Sequence, residues 1–192
     1  MKHAISLKQY RGMDIFFFTS ILCICEMLII LAATRWFPAQ PYALSLTPAI
    51  VAMVLMRWGG YALIPAAAGG LVFCLLSHAG AAHYVIYLLG NLSSVVMVFF
   101  IRRVGWKNIR DNTLLCMLYG LLTALCMQLS RAVIALLFFT GPIGALGFIT
   151  TDVLSTLFSV LLCWIMRRID GMLEDQVHYI DRIQKQEQSK GV

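Results

Sequence analysis

Charge is what this sequence has least of. Of its 192 residues only 12% are Asp, Glu, Lys or Arg, while 60% are hydrophobic. A soluble domain is nearer half apolar and about a quarter charged, so a chain this poor in charge cannot cover a surface facing water. The scarcity excludes a soluble enzyme and a disordered chain. It also excludes a nucleic-acid binder, despite a net charge of +6, because no basic residues interleave with aromatics on a soluble domain. Catalytic signatures are lacking too: there is no His-Glu-x-x-His, no Gly-x-Ser-x-Gly and no Gly-Lys-Ser phosphate loop. Glu26 and Asp152 alone do not make the acidic cluster that a metal-dependent lipid transferase needs. No enzymatic activity, cofactor or metal is therefore expected. Cysteine is present but without pattern. Cys23, Cys25, Cys74, Cys116, Cys126 and Cys163 all fall in or beside apolar runs, where a thiol is a small apolar filler and not half of a disulfide.

What is present is long apolar sequence. A helix needs ~20 mostly apolar residues to cross the hydrocarbon of a bilayer, and six segments approach that length. They run from Ile15 to Trp36, Pro41 to Met56, Tyr61 to Ser77, Tyr84 to Ile101, Leu114 to Phe139 and Phe148 to Met166. The second is short and carries Pro41 and Pro48, so it is expected to begin as irregular backbone dipping in from the outside. Pro65 is expected to kink or break the third. With both termini in the cytoplasm, Lys2, Lys8, Arg11, Arg57, Arg102, Arg103, Lys107, Arg110, Arg167, Arg168, Arg182, Lys185 and Lys190 share one side, 13 of the 15 basic residues. Cytoplasmic loops attract this excess. The fold class is thus an all-α integral membrane bundle of six helices with both ends inside, in a prokaryotic plasma membrane. Residues 1–168 form the bundle and 169–192 a short cytoplasmic tail, in which Leu173, Val177, Ile180 and Ile183 make a modest amphipathic stripe.

Three charges cannot be moved to a headgroup: Glu26, Arg131 and Asp152. A charged side chain inside a bilayer costs ~2.5–3.5 kcal/mol on insertion scales and calls for a functional explanation. Counted along their helices, all three fall in the outer half, as does Asn91. Gln128, Ser130, Thr150, Thr151 and Ser155 lie at compatible depth, and His78, His83, Tyr84 and Tyr87 line the rim between spans three and four. Such a cluster reads as a small-molecule pocket open to the outside. The plain alternative is that Arg131 pairs with Asp152 or Glu26 and locks helices together without touching a ligand. On span three, Ala62, Ala66 and Gly70 form a smooth ridge at i, i+4 and i+8. That ridge meets either another helix of this chain or a partner subunit.

The pattern resembles the substrate-binding S component of energy-coupling factor (ECF) transporters, the ABC-type vitamin and micronutrient importers of prokaryotes. The residues that carry the resemblance are Arg57-Trp-Gly-Gly, the run Ala66-Ala-Ala-Gly-Gly, Tyr84-Val-Ile-Tyr-Leu-Leu-Gly-Asn91, and Thr150-Thr-Asp-Val-Leu-Ser155 before the basic stop Arg167-Arg168. The resemblance implies that one small nutrient binds between spans four, five and six under a lid formed by residues 37–47. It also implies that a transmembrane coupling subunit and two cytosolic ATPases drive uptake. Arg131 would then meet an anionic or carbonyl group and Asp152 a donor, with Trp36, Tyr42, Tyr84 or Tyr87 stacking on a ring. Asn91, Glu26, Gln128, Thr151 and His83 complete the expected site. The row Ala62, Ala66 and Gly70 is the candidate docking surface, replacing the Ala-xxx-Ala pair such proteins show on their first helix. The alternative of a different class is a polytopic membrane scaffold similar to the rod-shape protein MreD.

Overall fold

The computed structural model describes residues 6–37, 44–138 and 141–190, and all regular structure among them is helical. Five stretches are long and apolar enough to cross a membrane: Leu7–Trp36, Thr47–Leu76, Ala81–Val104, Thr113–Leu137 and Pro142–Met166. This is the architecture of a multi-pass membrane protein. Large apolar side chains such as Phe16, Phe17, Leu137 and Ile143 stand on the outside of the bundle, while polar groups turn inward.

The second stretch is not one straight rod. It comprises α2 (Thr47–Trp58), a 3-10 turn (Gly59–Ala62) and α3 (Leu63–Leu76). Gly59 has φ +58°, a conformation that side chains other than glycine rarely adopt, and there the chain reverses. The reversal brings the Thr47 side chain against Gly69. In an unbroken helix those two residues would be ~33 Å apart. Pro65 does not kink α3. It falls in the first turn, where its missing N–H has no intrahelical acceptor to lose.

The remaining helices are α1 (Leu7–Trp36), α4 (Ala81–Leu92), α5 (Met97–Val104), α6 (Trp106–Asp111), α7 (Thr113–Phe138), α8 (Pro142–Thr150), α9 (Val153–Met166) and α10 (Gln176–Lys190). A 3-10 turn, Ser93–Val96, joins α4 to α5. α7 packs antiparallel to α9. The Cys116 thiol donates to the Cys163 carbonyl at 3.3 Å, Ser159 donates to Gly120, and Gln128 reaches the start of α9.

α2 is the centre of the molecule. All twelve of its residues are buried, enclosed by α1, α3, α7 and α9, and the fully buried Tyr119 of α7 donates to the Ala52 carbonyl at 2.6 Å. A helix that is covered all round can be short, because it need not span the full thickness by itself. The same packing absorbs the small-residue row: Ala62 and Ala66 have no exposed surface, and Gly70 lies against Asn91 and Tyr87. The row meets helices of this chain.

Both described ends meet at one end of the bundle, where the Tyr10 hydroxyl donates to Gln176 at 3.3 Å. Arg57, at the foot of α2, makes a two-pronged pair with Asp14 at 2.9 and 2.8 Å and donates to the Gly171 carbonyl. The Trp58 indole also donates to Asp14, at 2.6 Å. Glu174 is buried and takes Arg110 at 2.7 Å and Arg182 at 3.1 Å. Residues 171–176 are therefore part of the packed body, not of a loose tail, and Leu173 is almost fully covered.

Close approach between α4 and α7 depends on Gly90. A Cβ there would lie 3.1 Å from the Arg131 Cα and collide with its Cγ, whereas one at Gly60 meets nothing within 4 Å. Gly90→Ala is expected to destabilise by about 1–3 kcal/mol, the usual range for overpacking. That corresponds to roughly 3–10 °C in Tm, with Gly60→Ala close to neutral. Thermal unfolding of both variants in the same detergent checks this.

Candidate functional site

The polar residues of the half away from the termini are joined in one hydrogen-bonded chain. On α4, the Asn91 amide donates to the Ala66 carbonyl of α3 at 3.1 Å. Its oxygen takes two bonds from Arg131 of α7, from Nε at 2.9 Å and Nη2 at 2.6 Å. Arg131 Nη1 pairs with Asp152 Oδ2 at 2.8 Å. The other oxygen of Asp152 accepts from the Ser155 hydroxyl at 2.7 Å, and that hydroxyl accepts from the Ser45 N–H at 2.9 Å. The Ser45 hydroxyl donates to Glu26 of α1. Six separate segments are thus tied by side chains that are buried or, for Ser45, half-buried.

Each member is held there by a local feature of the backbone. Asp152 stands at a break between α8 and α9, with φ −101° and ψ 14°. The break turns its carboxylate inward, and Gln128 and Thr156 share the hydrogen bonding there: Gln128 Nε2 donates to the Asp152 carbonyl at 3.0 Å and to Thr156 at 2.6 Å. Since α8 begins at Pro142, Asp152 is ten residues below its far end, ~15 Å, deeper than a helix beginning at Phe148 implies. Glu26, ten residues below Trp36 on α1, is at matching depth. Its Oε1 accepts from the N–H groups of Leu46 at 2.8 Å and Thr47 at 2.9 Å, and from the Thr47 hydroxyl at 2.8 Å. A carboxylate from another helix thereby satisfies donors at the start of α2, where Leu46 offers no side-chain cap.

These side chains surround a small cavity of about 10 Å³, room for roughly one water molecule. Ser45 and Thr47 form one wall, Gly69, Gly70 and Phe73 of α3 a second, and Tyr87, Asn91, Arg131 and Asp152 the rest. The Arg131 guanidinium lies 4.6 Å from the centre of the Tyr87 ring, which stacks on Phe73 with centroids 4.4 Å apart. Arginine suits this position because its planar fork bonds two partners edge-on while its face rests on an aromatic ring.

Of the residues expected from sequence, Arg131, Asp152, Asn91, Tyr87, Gln128 and Glu26 come together. Thr151 is half-buried and donates to the Gly147 carbonyl at 2.7 Å. Tyr84 is half-buried nearly a turn away from Tyr87. His83 is exposed, with its ring 6.4 Å from that of Phe148. Trp36 is 72% exposed at the end of α1 and does not line the cavity. Tyr42 and the greater part of the expected lid lie outside the described residues. Ser45 and Thr47, at the end of the expected lid, line the cavity, and their bonds to Glu26 have no signal in the sequence, because no periodicity marks a loop residue that meets a helix through space. The Asp14–Arg57 pair was missed. Its signal was an acidic residue at the edge of the run Ile15-Phe-Phe-Phe18.

No family model, curated protein or solved structure matches this chain.

Breaking a buried ion pair on one side leaves a bare charge behind and typically costs ~3–5 kcal/mol, while replacing both partners by apolar groups is often neutral. Arg131→Met and Asp152→Leu are each expected to fall in that range. Combining Arg131→Met with Asp152→Leu should recover at least half of the single-variant loss. A double-mutant cycle on thermal or denaturant unfolding measures it; simple additivity of the two single losses is the opposing result.

Proposed function

We propose that this chain is the substrate-binding S component of an ECF-type importer. It takes a small, vitamin-like nutrient from outside a prokaryotic plasma membrane for uptake driven by partner ATPases. The observation that carries the reading is the buried Arg131–Asp152–Asn91 cluster around a cavity in the half away from the termini. In this reading the cavity half faces outward and the end shared by the termini faces the cytoplasm, in line with the basic residues gathered there. The reversal at Gly59 then makes six membrane segments, with α2 and α3 as separate arms.

The chemistry follows from the donors and acceptors present. Arg131 offers a planar, permanently charged fork to a carboxylate or carbonyl of the nutrient, Asp152 accepts from a donor, and Tyr87 with Phe73 supplies an aromatic wall. In the closed arrangement Asp152 and Asn91 occupy the fork that a ligand would take, so binding is an exchange of partners for Arg131 within one network. Such an exchange keeps every polar group satisfied, which a low-dielectric interior demands. Transport itself requires a transmembrane coupling subunit and two cytosolic ATPase subunits.

A second reading, an MreD-like scaffold without transport, is favoured by one observation: Arg131 has its partners within the chain and the cavity admits only about one water. Two measurements decide between them. Purified protein screened against water-soluble nutrients is expected to gain several degrees in Tm with one compound, and Arg131→Ala to lose that gain. Affinity purification from native membranes is expected to bring down a coupling protein and ATPases. Recovery of cell-wall morphogenesis proteins, with no compound stabilising the chain, supports the scaffold instead.

The topology has its own test. In a background with the six native cysteines replaced, a cysteine at Gly60 is expected to react with an impermeant maleimide only from the cytoplasmic side, and one at Ser77 only from outside. Labelling of both from the same side overturns the six-segment arrangement.

A further inference from the structure

Glu26 has a feature that its role at the start of α2 leaves unused. Its side chain has no exposed surface. One oxygen, Oε1, accepts all four of its hydrogen bonds, from Ser45, Leu46 and both donors of Thr47. The other, Oε2, is buried with no partner among the described residues. An amide oxygen would serve the four donors equally well, so a carboxylate, with its formal charge and its second oxygen, is more than the helix start requires.

Among the described residues no cation answers that charge. Arg131 is engaged by Asp152 and Asn91. Arg35 lies nine residues further along the same helix, ~13.5 Å away along the axis, and is exposed. Residues 38–43, adjacent in sequence, are Pro-Ala-Gln-Pro-Tyr-Ala and contain no Lys, Arg or His. The partial positive charge at the N-terminus of α2, about half an elementary charge, offsets only part of it. By formal charge the buried cluster holds two acids, Asp152 and Glu26, and one base, Arg131.

We propose that the bound nutrient carries a cationic nitrogen that Glu26 receives. This rests on the reading of the chain as a substrate-binding subunit and narrows the substrate class to cationic and zwitterionic compounds. Glu26 is one hydrogen bond from the cavity, because the hydroxyls it holds belong to Ser45 and Thr47, both in the cavity wall. Those two hydroxyl side chains stand between the carboxylate and the cavity. Phe73, on the wall formed by α3, adds aromatic surface of the kind that organic cations favour. A hard divalent ion fits poorly, since it takes six or more oxygen ligands, and no group of three His, Cys, Asp or Glu occurs among the described residues. A zwitterion would use both ends of the site, with its anionic group at Arg131 and its nitrogen at Glu26.

The test uses the full chain in lipid nanodiscs. Water-soluble vitamins, amino acids, polyamines and nucleobases are sorted by charge at pH 7 and screened for a rise in Tm. Each stabilising compound is then paired with its analogue lacking the nitrogen. The expected result is that stabilisers come from the cationic and zwitterionic sets, and that the deaminated analogue binds at least tenfold more weakly to wild type. Glu26→Gln keeps an acceptor for the four donors and should erase that tenfold difference, while Glu26→Asp should retain part of it. A neutral or anionic compound as the tightest binder overturns the proposal and leaves the transport reading standing, as does a charge preference that survives Glu26→Gln. Should no compound of any class stabilise the protein, the transport reading falls and this proposal with it. If Glu26→Gln fails to fold, Glu26→Asp decides the matter: the tenfold difference must shrink there, and an unchanged difference assigns the nitrogen to Asp152 and overturns the proposal.

Discussion

The bond between Arg131 and Asp152, at 2.8 Å and out of reach of solvent, is the interaction on which the rest of the structure depends. A guanidinium in apolar surroundings must have its donors met. Three of them are met by Asn91 and Asp152, and these two carry the demand onward. Asn91 fixes α4 against α3 through the Ala66 carbonyl. Asp152 can face Arg131 only because the last span is interrupted between α8 and α9, and its second oxygen passes the network to Ser155, Ser45 and Glu26. Helices that slide easily on apolar faces are thereby set in one register.

Small residues make that register possible. Gly90 lets the Arg131 backbone approach α4, and Gly69 receives Thr47. Lipid gives no hydrophobic drive for helices to associate, so close contact and hydrogen bonding must supply it. The two ends of the bundle use the same device for different purposes. At the end where the termini meet, Arg57 and Asp14 pair with a backbone carbonyl and an indole, and nothing in that group is short of a partner. At the other end one carboxylate oxygen is left over. A closed network suits a fixed joint, and an incomplete one suits a site that waits for a ligand.

Much of the bundle was legible in the sequence because apolar length is a one-dimensional property. Most ends of the long helices agree with the hydropathy runs to within a few residues, although α1 starts eight residues before Ile15 and α8 six before Phe148, and Glu26, Arg131, Asp152 and Asn91 stood out because polar groups are rare in such runs. Pro41 and Pro48 made the second segment look marginal, yet α2 is the most enclosed helix. Hydropathy measures what a segment brings to lipid, and a segment wrapped by four others has little contact with lipid. The row Ala62, Ala66 and Gly70 showed the same ambiguity: spacing marks a surface made for close packing and is silent on whose helix it meets.

By itself the sequence determined that this chain belongs in a bilayer and which few residues are costly there, because the cost of burying a charge in hydrocarbon depends on residue type and local hydropathy alone. Only the tertiary structure decided how those charges are paired. Arg131 and Asp152 are close in sequence but meet through two helices, whereas Glu26 meets not a cation but the backbone of a loop 20 residues on. Pairing is a property of distances across the bundle, set by the Gly59 reversal and the break at Asp152, and no periodicity along one helix encodes it.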